Sequence, residues 1–254
     1  MMQLLSIVKL TIKEIIQGRI FSLSIILGIF FSLISIAASE ISYGNKPKIY
    51  FDIGLGFLFF SIMILSTFFG SSSFSKGNDE GSLYIILPKL KNRSYYLIGK
   101  IIGYFSVIFL EFVFLSAFIL AIYKYVGGVI DYGILLCLLF ILLSSLLIFM
   151  ISLTFSHFAS HFLAFFLSVA VYLIGYGLPN TLEIASVNKM SLFSEVLKIC
   201  TFVFPNFFVL DIKEAYLYRG DFDIKFILQA ILNTFIYSTI LILLNLKIFK
   251  RKNF

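Results

Sequence analysis

Apolar residues fall along this chain in blocks too long for a soluble core. Runs of about 20 residues, the length that carries an α-helix across roughly 30 Å of hydrocarbon, occupy about 20–38, 53–75, 100–122, 133–155, 160–178 and 225–246. From Tyr132 to Leu182 there are 51 residues without Asp, Glu, Lys or Arg, too many for one crossing and sufficient for two. The most polar place within them is Ser156-His157-Phe158-Ala159-Ser160-His161, and a tight turn is predicted there. A lone segment in lipid must satisfy its own backbone hydrogen bonds, so each crossing is predicted to be helical. The period-2 alternation of a membrane β-barrel is absent. The predicted fold class is all-α: a polytopic integral membrane protein with six transmembrane helices, forming one domain over 1–254.

The flanking segments have patterns of their own. Over residues 3–17, Lys9, Lys13 and Gln17 share one helical face, and Leu5, Val8, Ile12, Ile15 and Ile16 gather on the other. Gly18 breaks the pattern. This predicts an N-terminal amphipathic helix over 1–18, lying in the membrane interface and leading into the first span. Ser35-Ile36-Ala37 loosely resembles a signal-peptide cleavage site, but the long segment before it favours a retained helix. Residues 179–224 form the largest connection. Within it, 193–209 is apolar enough to touch lipid but carries Glu195, Lys198 and Pro205, which predicts a broken, partly re-entrant helix pair. A seventh span there would separate the C-terminal Lys-Arg cluster from the N-terminus, and Pro205-Asn206 would break it.

Composition agrees with the pattern. Hydrophobic residues make up 60% and charged residues 13% of the 254, against about 25% charged in soluble domains. The net charge is +7, yet the basic residues sit between apolar runs and form no stripe, so anionic lipid is the expected partner and nucleic acid is not. Lys9, Lys13, Arg19, Lys76, Lys89, Lys91, Arg93, Lys100, Lys247, Lys250, Arg251 and Lys252 fall on one side of a six-span layout. Lys46, Lys48, Lys124, Lys189, Lys198, Lys213, Arg219 and Lys225 fall on the other, mostly in the long connection, which counts less in the positive-inside rule. Both termini and the 76–100 loop are thus expected in the cytoplasm, with the chain in the plasma or inner membrane. Trp is absent, and Tyr43, Tyr50, Tyr95, Tyr123, Tyr132 and Tyr176 are the expected interfacial belt. Cys137 and Cys200 offer neither a disulfide framework nor a metal set.

Catalytic signatures are scarce. The chain has no G-x-x-x-x-G-K-[ST], H-E-x-x-H, C-x-x-C or G-x-S-x-G. Gly99-Lys100 is followed by Ile101 and lacks the preceding glycine of a phosphate loop. His157 and His161 have a metal-compatible spacing, but no third carboxylate or thiol lies nearby, and a polar turn is the better reading. Glu111 is the one ionisable residue deep in a span. Its charge would cost at least about 2–3 kcal/mol there unless paired or neutralised. It is either a point on a translocation path or a structural hydrogen-bonding group. No enzyme activity is expected of the chain itself.

The loop KGNDEGSLYIILPKLKNRSYYLIGK, residues 76–100, resembles the cytoplasmic loop after the second span in permease subunits of type-2 ABC exporters. That family pattern is an acidic stretch, Gly-Thr-Leu, an apolar step, Pro-x-Ser-Arg, and Gly-Lys opening the third span. Asp79 and Glu80 supply the acidic part, Gly81-Ser82-Leu83 matches with Ser for Thr, and Arg93 and Lys100 keep the family spacing. Pro88 stands two positions early, with Leu90 in its usual place. The stretch FPNFFVLDIKEAYLYRG, residues 204–220, is similar to one bacterial branch that includes permeases of gliding motility and copper-enzyme maturation. The resemblance implies a permease with six spans, an amphipathic entry helix and a broken segment before the last span. It implies a 76–99 coupling loop that docks on separate ATPase subunits through Glu80, Gly81, Leu83, Arg93 and Lys100. It also implies a second permease copy or paralogue, with ATP and magnesium bound by the partner and no cofactor in this chain. A solvated positive-inside loop is the plain alternative for 76–100. For the whole chain the alternatives are a membrane scaffold or assembly factor, and a secondary transporter using Glu111. Internal inverted repeats, which would favour the last, are not evident.

Overall fold

The computed structural model describes residues 2–41, 45–79, 94–187, 191–213, 216–217 and 224–251. In these residues the chain is all-α, with no strand. Its helices are α1 (Met2–Ile16), α2 (Arg19–Ile41), α3 (Lys46–Asp79), α4 (Ser94–Tyr125), α5 (Tyr132–Phe155), α6 (His161–Val187), α7 (Ser191–Val203) and α8 (Ile224–Arg251). Six of them are long and apolar enough to cross a membrane: Phe21–Ile41, Lys46–Phe74, Ser94–Tyr125, Tyr132–Phe155, His161–Ile184 and Lys225–Arg251. The protein is a multi-pass membrane protein. "Near side" here denotes the end of the bundle holding Arg19, Asp79, Ser94 and Arg251, and "far side" the other.

The spans sit where the apolar runs predict, but several are longer. α3 and α4 extend beyond 53–75 and 100–122, leaving 80–93 as their near-side connection. The extra turns carry Ser, Lys and Tyr, which a window of apolar residues does not pick out. α5 begins at Tyr132 because Asp131 stands in an extended conformation and accepts from Ile134 N at 3.2 Å. The turn before it needs Gly127, whose φ is +91°. α5 ends at Ser156, and the predicted turn follows at 156–160.

α5 is the axis of the bundle. Inside its span 72% of residues are buried, against 17% for α2 and α8. α5 packs closely on α3 at Gly70, where an added Cβ would lie 2.6 Å from Ser152 Cβ and 2.7 Å from Phe149 O. Ser152 Oγ crosses this contact to donate to Thr67 O at 2.7 Å. Without a hydrophobic drive between helices in lipid, small residues that let backbones meet take that role. The remaining buried hydroxyls, such as Thr11, Ser32 and Ser144, mostly donate back to carbonyls one turn earlier, which satisfies them inside apolar surroundings.

α1 is amphipathic as predicted, with Lys9 and Lys13 exposed, and part of its apolar side packs on the bundle. Ile7, Thr11 and Ile15 are inside, while Leu5 and Ile16 remain exposed. The reason lies in α4. Gly99 and Gly103 form a shallow groove there, and Ile7 Cγ2 and Thr11 Cβ would each stand 2.8 Å from a Cβ added to one of them.

The tyrosine belt needs correcting. Tyr95 and Tyr132 are exposed, but Tyr50 and Tyr123 are buried between helices. Tyr50 Oη donates to Ile119 O at 3.3 Å, and the Tyr123 ring stacks at a tilt on Phe51. Tyr43 lies outside the described residues.

The 179–224 connection also differs in detail. α6 runs through Pro179 to Val187, so the connection starts later than predicted. Packing of Leu178 and Leu182 against Leu197, Cys200 and Phe204 holds those turns and outweighs the hydrogen bond that proline removes. In place of a helix pair there is one helix, α7, which stops at Val203 just before Phe204-Pro205, then a short 3-10 turn, Phe208–Leu210.

Candidate functional site

The near-side ends of α3 and α4 bracket residues 80–93, so they fix what that connection can transmit. Glu80, Gly81, Leu83 and Arg93 themselves lie outside the described residues. Lys100 is inside α4 and only 7% exposed. Its ammonium reaches across to α3 and donates to Ser73 O at 2.9 Å. It also stands 5.3 Å from the Tyr96 ring centroid and 5.9 Å from that of Tyr104. Two aromatic faces and a carbonyl thus replace water around one buried cation. Lys100 thus clasps α3 to α4.

An aromatic cluster continues from this clasp. Phe74 of α3 lies 6.4 Å from Tyr96 of α4, 5.4 Å from Phe249 of α8 and 4.3 Å from the His157 ring, with which it stacks. Tyr96 and Phe249 are stacked at 6.1 Å. Four elements therefore meet at one near-side joint: α3, α4, the α5–α6 turn and α8. α1 grips the same part of α4 through Gly99 and Gly103. Sequence reasoning named Lys100 and the histidines here but missed Phe74, Tyr96 and Phe249, which look like any other aromatic in an apolar run.

The two histidines do not converge on a common point. His157 stacks on Phe74, and His161 Nδ1 is 2.9 Å from Ser71 Oγ, with its ring edge-on to Phe68. Among the described residues no group of three His, Cys, Asp or Glu can hold a metal. Cys137 is buried and Cys200 half-buried, both as free thiols.

Glu111 sits near the middle of α4, fully buried, with neither carboxyl oxygen in a hydrogen bond. Ser24 of α2 is its polar neighbour, but the Ser24 hydroxyl donates to Phe21 O at 2.8 Å. Ser61 of α3 reaches Ser24 O at 3.5 Å. One turn along, Gly28 of α2 meets Leu115 of α4, where an added Cβ would lie 2.5 Å from Leu115 Cδ2. Glu111 is therefore enclosed at the α2–α3–α4 junction and lines neither of the cavities described below.

On the far side, part of the stretch predicted to be broken and partly re-entrant does enter the bundle. Residues 205–213 fold inward between α3, α5 and α6, where they line a cavity with Leu55 and Ile141 and meet Tyr172. Those contacts lie about two to four helical turns from the far-side helix ends. Pro205 O lies where a Cβ on Gly175 would be, at 2.4 Å, so only glycine allows this approach. Phe207 is buried edge-on to Tyr172. Three polar contacts secure the segment. Lys213 pairs with Asp52 at 2.7 Å, Tyr176 donates to Asp211 at 3.1 Å, and Tyr216 donates to the helix-capping Asp131 at 2.7 Å. Burial, then the Asp131 carboxylate, raise the pKa of the Tyr216 phenol, which stays a donor at all physiological pH. A cavity of about 50 Å³ lies on the α3–α5–α6 side of the segment. A larger one, about 410 Å³, lies between the segment and α8.

No protein-family model and no curated protein matches this chain. The reading of its function rests on its own residues and their arrangement.

Proposed function

We propose that this chain is the membrane-spanning permease subunit of an ATP-driven ABC exporter in the plasma or inner membrane, with both termini in the cytoplasm. It forms half of the translocation path with a second permease copy or a paralogue. Separate ATPase subunits bind ATP and magnesium and dock on residues 80–93 through Glu80, Gly81, Leu83 and Arg93. The resemblance of 76–100 to the family loop motivates the assignment. The observation that carries its mechanics is the clasp between Lys100 and Ser73 O, which ties together the two helices from which the loop springs. A push on the loop moves α3 and α4 as one piece, and the Phe74, Tyr96, His157 and Phe249 contacts take α8 and the α5–α6 turn with them. Closure of an ATPase dimer needs a rigid element of this kind to act on.

The test is co-expression with ABC ATPase subunits from the same organism. The expected result is a co-purifying complex, weakened by Arg93→Glu with loss of transport-coupled ATP hydrolysis. If no ATPase co-purifies and Arg93→Glu leaves function intact, the assignment fails. The enclosed, unpartnered Glu111 favours a second reading, a secondary transporter. Transport driven by a proton gradient without ATP, and lost in Glu111→Gln, would establish that reading instead.

A further inference from the structure

The cavity between the inward-folded segment and α8 has a composition that stands apart from the rest of the membrane surface. Its polar wall is made by Gln229, Asn233 and Tyr237 of α8, Asn206 of the segment and Thr201 of α7. Phe226 and Leu147 supply its apolar wall. Gln229 and Asn233 are exposed although they lie inside the Lys225–Arg251 span. The neighbouring outward positions on α8, Leu228, Leu232, Phe235 and Ile236, are all apolar and exposed, as a lipid-facing surface requires. Two amides on such a surface are costly against hydrocarbon. The cavity removes that cost when it holds a molecule with its own donors and acceptors.

Depth and charge narrow the occupant. The cavity runs from Pro205 and Asn206 down to Tyr237, near the midpoint of the span. It thus occupies the far-side half of the α8 span and reaches its middle. None of its described lining residues is charged. An ionic or zwitterionic headgroup drawn into it would lose water without gaining a counter-charge from these described residues. Hydroxyl groups match amides and a phenol as hydrogen-bonding partners. We propose that this cavity is a lateral binding site for an uncharged amphiphile of the far-side leaflet, a lipid with a hydroxylated or glycosylated headgroup. The headgroup is held by Gln229, Asn233 and Asn206, and the acyl chain continues toward the middle of the span along the outer face of α8, past Leu232 and Ile236. The site does not depend on the export reading, since it follows from the cavity's lining alone.

The experiment uses the full chain in phosphatidylcholine nanodiscs with three trace photolabels carrying the same acyl diazirine. These are a monoglycosyl diacylglycerol, phosphatidylcholine and phosphatidylglycerol. The glycosyl label is expected to modify the peptide 226–237 at least about fivefold more than the others, and unlabelled glycosyl lipid is expected to suppress it. The double variant Gln229→Leu, Asn233→Leu is expected to reduce that labelling by roughly tenfold, the effect of losing two modest hydrogen bonds. Both side chains are exposed, so the variant retains its fold, which monodisperse elution checks. The competition arm needs no variant. Equal labelling by all three headgroups, insensitive to the substitutions, would show annular lipid only and overturn the proposal. Absence of label at 226–237, or chain-to-chain cross-links through α8, would overturn it as well.

Discussion

Gly70→Ala is the substitution whose consequence the structure fixes most tightly. The added methyl would lie 2.6 Å from Ser152 Cβ, 2.7 Å from Phe149 O and 3.0 Å from Leu153 N. Two of those three atoms are helix backbone, so no rotamer change relieves the overlap. α3 and α5 must separate by several tenths of an ångström. Overpacking of this kind costs about 1–3 kcal/mol. Separation also stretches the 2.7 Å bond from Ser152 Oγ to Thr67 O, which adds up to about 1 kcal/mol. Helix propensity returns less than about 1 kcal/mol, since alanine is the better helix former. The net loss is about 1–3 kcal/mol, or a fall of about 3–10 °C in apparent melting temperature for a chain of this length. Gly177→Ala is the matched control, because nothing lies within 4 Å of its added Cβ. It is expected to melt at or slightly above the parent. The assay is thermal unfolding of both variants in one detergent at one scan rate. If Gly70→Ala melts within about 1 °C of the parent, the tight α3–α5 contact is wrong.

Other expectations follow from single contacts. Lys100→Met keeps the length of the stem but removes the donor to Ser73 O and the charge over Tyr96 and Tyr104. It should lower the melting temperature by several degrees, about 1–3 kcal/mol, and reduce transport more than ATPase binding, measured by pull-down beside a vesicle assay. Glu111→Gln should fold as stably as the parent, because a neutral amide of the same shape replaces an enclosed carboxyl, whereas Glu111→Lys should fail to yield monodisperse protein on size exclusion. Lys213→Met breaks a partly exposed ion pair with Asp52, so stability should change by less than about 1 kcal/mol. Limited proteolysis near 204–217 should nonetheless become faster, and an unchanged digestion rate would count against the segment's anchoring. A Tyr132→Cys variant carrying Cys137→Ser and Cys200→Ser should react with a membrane-impermeant maleimide added outside intact cells, while a cysteine at Lys247 should not. The reverse pattern would invert the orientation.

The parts of the fold legible in sequence are those that lipid itself enforces. Six apolar runs and an uncharged 51-residue stretch with one polar turn translate directly into spans, because no other structure satisfies the backbone in hydrocarbon. What lipid does not enforce was hidden. Lipid and protein interior are equally apolar, so an apolar run does not say which of its faces meets another helix. The apolar face of α1 does not say by itself that Ile7 and Ile15 meet the bundle while Leu5 stays exposed, nor does an apolar run say that Tyr50 turns inward. The groove that decides the first case belongs to Gly99 and Gly103, some ninety residues away. Glu111 stood out in sequence because a carboxyl amid apolar residues is costly anywhere in a span. Lys100 was found by its spacing to Gly81 and Arg93, yet its clasp on Ser73 was invisible, since the acceptor is a backbone carbonyl. Gln229 and Asn233 could have been noticed, as two amides four apart in the last span. Only the depth of the 205–213 segment gives them a cavity to line.

That inward fold has a consequence for how the chain is assembled. Residues 205–213 are held among α3, α5 and α6, and Lys213 pairs with Asp52 at the start of α3. Those helices leave the ribosome first, but the segment cannot settle until all three have come together. α7, with Glu195 and Lys198 exposed, is suited to wait at the bilayer surface until then. α8, which follows the segment in the chain, then packs beside it across the larger cavity.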